Sequence, residues 1–246
     1  MFSYAIEKYL QQKNLNRFEL KAVFFDMDGV LYDSMGHHAA AWTEAFTKAG
    51  IHFHEELAYL NEGRTGSSTV LTAVKEAQNR KATDDEVRDI YRHKTEILHT
   101  MPKVLPVEGM QSVLEKVKKA GLEIWIVTGS SHMQFIENLK VDFPGLVDPD
   151  HIVSGKDVKH GKPNPEPYLR AMEKSHLKRQ NIIVVENAPL GIQAAKSAGL
   201  FTVAINTGIL NDQILTDAGC DILLKSGKQL EENWNKLAHV IQIFNR

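Results

Sequence analysis

The chain has 246 residues, 43% hydrophobic and 24% charged, with a formal net charge of −2, the composition of an ordinary globular protein of one or two domains. No basic block or stripe appears, which argues against a nucleic-acid partner or an anionic membrane surface, and no apolar run nears the ~20 residues that span a bilayer. A single cysteine, Cys220, excludes an internal disulfide and, with an N-terminus lacking a basic segment followed by an apolar core, predicts a cytoplasmic monomer acting on small molecules.

Residues 1–18 open the chain with an amphipathic stretch, Phe2, Ile6, Tyr9 and Leu10 on one face, and predict an added surface helix. The apolar run over 22–25 then reads as a buried strand. It ends in Asp26-Met27-Asp28-Gly29. Side chains at i and i+2 of an extended segment project to the same side, so Asp26 and Asp28 are aimed at one place. Carboxylates that close repel unless a proton or a cation lies between them, and hard oxygen ligands favour Mg²⁺. The pair implies a metal site, an acid/base pair or both, against the alternative of an Asp-Gly turn whose acids only cap backbone amides.

Strand signal then disappears. Residues 36–49, 67–78 and 84–99 are helix-like, broken by 63–66 and by the polar 79–83, and Pro102 and Pro106 mark the return. This predicts a helical cap over 34–105, inserted into a core formed by 19–33 and 106–246. Within the core, β-branched runs at 123–127, 182–185, 201–205 and 222–224 alternate with helical segments. Gly121 and Gly199 close helices over 111–120 and 190–198. The fold class is therefore α/β: a Rossmann-like, doubly wound parallel sheet with an α-helical cap.

Ligands of such sheets bind beyond the carboxyl ends of the strands. The second predicted strand ends in Thr128-Gly129-Ser130-Ser131, hydroxyls and small residues suited to phosphoryl oxygens. The third ends in Glu186-Asn187, two oxygen ligands. Between them, Lys162 sits among Pro163, Pro165 and Pro167, which stiffen its loop. Each piece alone has a plainer reading, as a helix cap or a solvated loop lysine. All of them at the correct strand ends, in order, make a far more specific constellation.

These motifs, with the run from Val184 to Gly199, resemble the haloacid dehalogenase superfamily of phosphotransferases over roughly residues 19 to 246. The likeness is to the subgroup with a cap after the first motif, β-phosphoglucomutase and its relatives. It implies that Asp26 is the nucleophile that takes up the phosphoryl group, and that Asp28 is the general acid and then the base. Thr128 would bind a phosphoryl oxygen and Lys162 would neutralise charge. Mg²⁺ would be held by Asp26, the Asp28 carbonyl and Asn187, with Glu186 nearby.

Two departures bear on the substrate. The fourth motif of the subgroup usually ends Glu-Asp, so Asn187 removes one negative charge from the metal site. Mutases of this group grip a distal phosphate with an arginine after the cap glycine and a basic residue in the second motif's loop, and those places hold Gly66 and Ser131. Arg64 lies nearby, and His38-Ala-Ala-Ala-Trp42 resembles the mutase segment. The cap loop also carries Glu62, which beside a metal would orient a compact, metal-laden substrate and would repel a distal phosphate. Glu62 with Asn187 resembles the inorganic pyrophosphatases of the group. The leading expectation is an Mg²⁺-dependent phosphohydrolase acting on inorganic pyrophosphate, with β-phosphoglucomutase or sugar-phosphate phosphatase as the alternative. Glu62, Arg64, His38, Gly129 and Ser130 are the expected substrate contacts. A receiver-like signalling module would need neither Asp28 nor a cap, and a metal-free 2-haloacid dehalogenase would need neither Asp28 nor Glu186-Asn187.

Overall fold

The structure, a computed structural model, describes residues 2–130 and 133–245. Its described strands, β1 (Ala22–Phe25), β2 (Glu123–Val127), β3 (Ile152–Val153), β4 (Ile182–Glu186), β5 (Phe201–Ile205) and β6 (Ile222–Leu224), form one sheet. The order is β3-β2-β1-β4-β5-β6, and every pairing is parallel. This is the doubly wound sheet that the alternation of apolar runs predicts. β3, only two residues long, has no period to read and is absent from the sequence-based expectation.

The helices are α1 (Phe2–Lys13), α2 (Met35–Lys48), α3 (Glu55–Leu60), α4 (Gly66–Gln78), α5 (Asp84–Thr100), α6 (Met110–Lys119), α7 (Met133–Asp142), α8 (Glu166–Ser175), α9 (Pro189–Ser197), α10 (Asp212–Asp217) and α11 (Gly227–Ile243). Strand alternation divides the core residues between the two faces. Val23, Phe25, Ile124, Ile126, Ile183 and Val185 pack with α6 and α11. Ala22, Phe24, Trp125, Val127, Ile182 and Val184 pack with α8 and α9. Both faces are thus covered, as an all-parallel sheet requires.

Between β1 and α6 the chain forms α2 to α5 around a separate cluster that includes Trp42, Phe46, Phe53, Tyr59, Val70, Val74 and Ile90. Leu210, from the loop after β5, joins that cluster and ties the core to it. The start of α5 is fixed by Thr83 and Glu86, which bond each other's backbone amides in a capping box.

α1 departs from the expectation of a surface helix. Its stripe of Phe2, Ile6, Tyr9 and Leu10 is buried in the main core beside Phe18, Phe201 and Trp234. The Tyr9 hydroxyl reaches the carbonyls of Gly199 at 3.0 Å and Arg179 at 3.1 Å. Burying an apolar side chain of this size is worth ~1.5–3 kcal/mol, so the helix belongs to the fold rather than lying on it.

Candidate active site

The register of the three central strands brings the sequence motifs to one level. Phe25 pairs with Ile126 on one side and Val185 on the other, so the next step of the ladder sets Asp26 between the ends of β2 and β4. Lys162 reaches this point from the loop before α8. Its ammonium donates to Asp26 Oδ1 at 2.5 Å, Glu186 Oε1 at 2.6 Å and the Val127 carbonyl at 3.0 Å. Burial alone would lower the Lys162 pKa, but Asp26 and Glu186 outweigh it and keep the ammonium charged.

Glu186, read from the sequence as a metal ligand, lies against Lys162 at the end of β4. Its Oε1 accepts from Lys162 and from the Tyr168 hydroxyl at 2.6 Å, and its Oε2 accepts from the amides of Asn187 and Ala188. With both oxygens hydrogen-bonded inside the protein, it anchors Lys162. Asp26 Oδ2 and Asn187 Oδ1, by contrast, are buried without a hydrogen-bond partner, and such orphans are costly unless something fills them.

Asp28 is held from the other side. Ser34, at the entrance to α2, donates to its Oδ1 at 2.6 Å, and His38 Nε2 lies 3.3 Å from the same oxygen. Lys94 on α5 approaches His38 Nδ1 at 3.1 Å and lies over the Trp42 ring, 5.3 Å from its centroid. With the ammonium on Nδ1, the His38 proton is assigned to Nε2, toward Asp28. Burial pushes Asp28 up, yet His38, Ser34 and Lys94 prevail and hold it down to about 2. Burial and Lys94 both lower His38.

At the end of β2, buried Thr128 accepts from the Ser130 amide at 3.0 Å. The cap loop descends onto this segment. Gly63 has φ +86°, and a Cβ there would meet the Lys162 side chain at 2.7 Å; one on Gly129 would meet the Gly63 carbonyl at 2.8 Å. Only glycines allow so close an approach of cap and core. Beneath the loop lies a cavity of about 50 Å³ whose lining includes Asp28, His38, Asn61, Glu62, Arg64, Lys94, Gly129 and Ser130. The expected substrate contacts therefore line one cavity with Asp28. Gly66 also borders it, with the Tyr91 ring so near that a Cβ would meet it at 2.1 Å. Ser131 lies outside the described residues.

Charge is unbalanced here. Asp26, Asp28, Glu62 and Glu186 face Lys162 and Lys94, with Arg64 at the margin. Burial raises Asp26 to about 8 against the pull of Lys162, with Glu186 and Asp28 adding to the rise. Burial and the charges of Asp28 and Asp26 push Glu62 well above the usual carboxylate range. Among the described residues no three His, Cys, Asp or Glu side chains form a metal cluster. The free donors are one carboxylate oxygen, one amide oxygen and whatever carbonyls lie beside them. Such an all-oxygen set, short of positive charge, suits a hard divalent cation.

Residues 23–205 match the family model of the haloacid dehalogenase-like hydrolases. The chain belongs to that family. It is an enzyme of the phosphatase and phosphotransferase type, related by sequence and structure to β-phosphoglucomutases. A structure from Bacteroides vulgatus, provisionally named β-phosphoglucomutase, superposes with a TM-score of 0.95 at 41% identity and covers 98% of both chains. The phosphorylated carbohydrates phosphatase of Thermotoga maritima is 29% identical over 90% of this chain and 100% of its own length. The β-phosphoglucomutase of Bacillus subtilis is 25% identical over 88% of this chain and 96% of its own.

Three residues of this haloacid dehalogenase-like site escape the sequence reading: Lys94, Tyr168 and the hydroxyl of Ser34. Lys94 had a legible signal, since it interrupts the buried stripe Ile90–Leu98 at a spacing of four on α5. Tyr168 had none that separates it from an ordinary core aromatic.

Proposed function

We propose that the protein is an Mg²⁺-dependent inorganic diphosphatase working through a phosphorylated aspartate. The observation that carries this reading is the cavity of about 50 Å³ in which Glu62 of the cap shares the lining with Asp28. At ~10–15 Å³ per water, it has room for a handful of water molecules, far below the ~300–1,000 Å³ of ordinary ligand pockets. A phosphoryl-sized leaving group suits that space better than a hexose. A third carboxylate near the reacting phosphorus would repel a free phosphate ester, whereas it suits a substrate that arrives with bound cations.

In this reading, Asp26 attacks the near phosphorus, and Lys162, fixed by Glu186 and Tyr168, offsets charge on the transferred group. Before substrate enters, His38 and Ser34 hold Asp28 ionised; the negative charge of the entering substrate raises it, so that it takes up a proton, gives it to the departing phosphate and then takes one from the water that releases the second. Thr128 and the amides after it hold the oxygens of the transferred group. The Asp26 and Asn187 oxygens, with the Asp28 carbonyl, would hold Mg²⁺, which supplies charge neutralisation between carboxylate and phosphate when bound.

A second reading, β-phosphoglucomutase or sugar-phosphate phosphatase, is favoured by the names of the relatives and by the pairing of His38 with Lys94 near Asp28. The Tyr91 ring against Gly66 weighs against it, because that ring fills the position where mutases carry an arginine. Glu62→Ala separates the two. We expect kcat/KM for diphosphate to fall at least 100-fold and that for p-nitrophenyl phosphate to change less than threefold; equal losses on both would reduce Glu62 to a bystander.

A further inference from the structure

Residues 206–211 join β5 to α10, and the cap rests on them. Leu210 is buried in the cap cluster, and a Cβ on Gly208 would meet the Tyr59 ring of α3 at 2.9 Å, so cap and loop are in close contact. The Asn206 side-chain amide donates to the Leu210 carbonyl at 2.9 Å and to Asp212 Oδ1 at 2.7 Å, bracing the loop across its width so that it moves as one piece. The other end of the loop reaches the turn after Asp28. Thr207 Oγ1 donates to the Gly29 carbonyl at 2.5 Å, while the Gly29 amide donates to the Tyr32 carbonyl at 2.7 Å. Both peptide groups that flank the Gly29 Cα are thus fixed, and because each is planar, the bond to Tyr32 also sets the direction of the Asp28 carbonyl. Gly29 has φ +78°, and a Cβ there would overlap Asn187 Nδ2, so the Asn187 side chain rests on this glycine.

We propose that the loop over 206–211 is a positioning element that couples the seating of the cap to the strength of the Mg²⁺ site, with Thr207 as the residue that transmits it. This inference rests on the Mg²⁺ ligands proposed above and not on which phosphate compound is the substrate. Tyr59 and the cap cluster hold the loop only while the cap is seated. Thr207 then holds the Gly29 carbonyl, and with it the backbone on which Asn187 rests and from which the Asp28 carbonyl projects. A cap that lifts withdraws Tyr59 from Gly208 and the cluster from Leu210. The freedom gained by the loop passes to the turn, and the oxygen donors lose their common geometry. Linked equilibria are reciprocal, so bound Mg²⁺ in turn favours the seated cap.

Calorimetric titration of the whole protein with Mg²⁺ alone, without substrate, tests the coupling. Thr207→Val keeps the shape of the side chain but removes its donor and should raise Kd ~3–10-fold, the weight of one hydrogen bond, whereas Thr207→Ser, which keeps the hydroxyl, should bind as the parent does. Leu210→Ala loosens the cap end of the loop. It should raise Kd several-fold in the parent and leave it unchanged in the Thr207→Val background, where the route is already cut. A Thr207→Val protein that binds Mg²⁺ as the parent does, or a Leu210→Ala effect of equal size in both backgrounds, overturns the coupling and leaves the metal site standing. A parent that binds no Mg²⁺ overturns the metal reading instead, and amide hydrogen exchange of the metal-free protein then still reads the loop. Exchange across residues 27–32 that Leu210→Ala speeds several-fold with Thr207 present, and does not speed further with Thr207→Val, supports the coupling; equal exchange in the parent and Leu210→Ala overturns it.

Discussion

Asp26 shows how burial and charge decide a residue's chemistry. The proposed role as nucleophile requires it to be ionised, yet burial and its acidic neighbours raise it to about 8 while Lys162 alone opposes them. The sign of the linkage follows. A carboxyl whose folded pKa lies above its unfolded value of 3.8 destabilises the fold increasingly as pH rises from the unfolded pKa toward the folded one. A cation bound between Asp26 and Asn187, as proposed, would remove that penalty by competing with the proton. The stabilisation by Mg²⁺, read as the rise in Tm, should therefore be larger near pH 8 than near pH 5. An equal rise at both values would mean that the cation does not bind at Asp26. At this scale the sequence was legible wherever chemistry-bearing residues sat at strand ends. It was silent on the hydrogen bonds of Glu186 to Lys162 and Tyr168, which lie 24 and 18 residues away.

Among the elements, long periodic ones were legible and short ones were not. The helices α2, α4 and α5 lie within a residue or two of their expected bounds because apolar spacing and breakers agree. α3 has six residues and β3 two, and both owe their conformation to packing partners that no local pattern reveals. α1 was legible as a helix, but not in its depth. Its burial makes a plain prediction: Ile6→Ala, at a fully buried position, should cost about 2–4 kcal/mol of stability in denaturant unfolding. Its kcat/KM should stay within twofold of the parent, since α1 touches none of the site residues. A cost below 1 kcal/mol would return α1 to the surface.

For the whole molecule, the account depends on how closely the cap meets the core. The contact is backbone on backbone, Gly63 over Gly129, with Leu210 of the core seated in the cap cluster. Gly129→Ala should hold the cap away by the width of a methyl group and lower kcat/KM about 10–100-fold, because misplacement on the order of 1 Å is enough to cost ~10²-fold. Its Tm should stay within a few degrees of the parent, and unchanged kinetics would show that catalysis does not require this seating. The central proposal is that the small cavity beneath the cap loop, of about 50 Å³, favours a substrate the size of diphosphate. The most direct test is steady-state phosphate release with Mg²⁺ from diphosphate, hexose and triose phosphates and β-glucose 1-phosphate, with glucose 6-phosphate followed in parallel. The account predicts kcat/KM for diphosphate at least 100-fold above every ester; glucose 6-phosphate forming without phosphate release, or a hexose phosphate turned over faster than diphosphate, would contradict it.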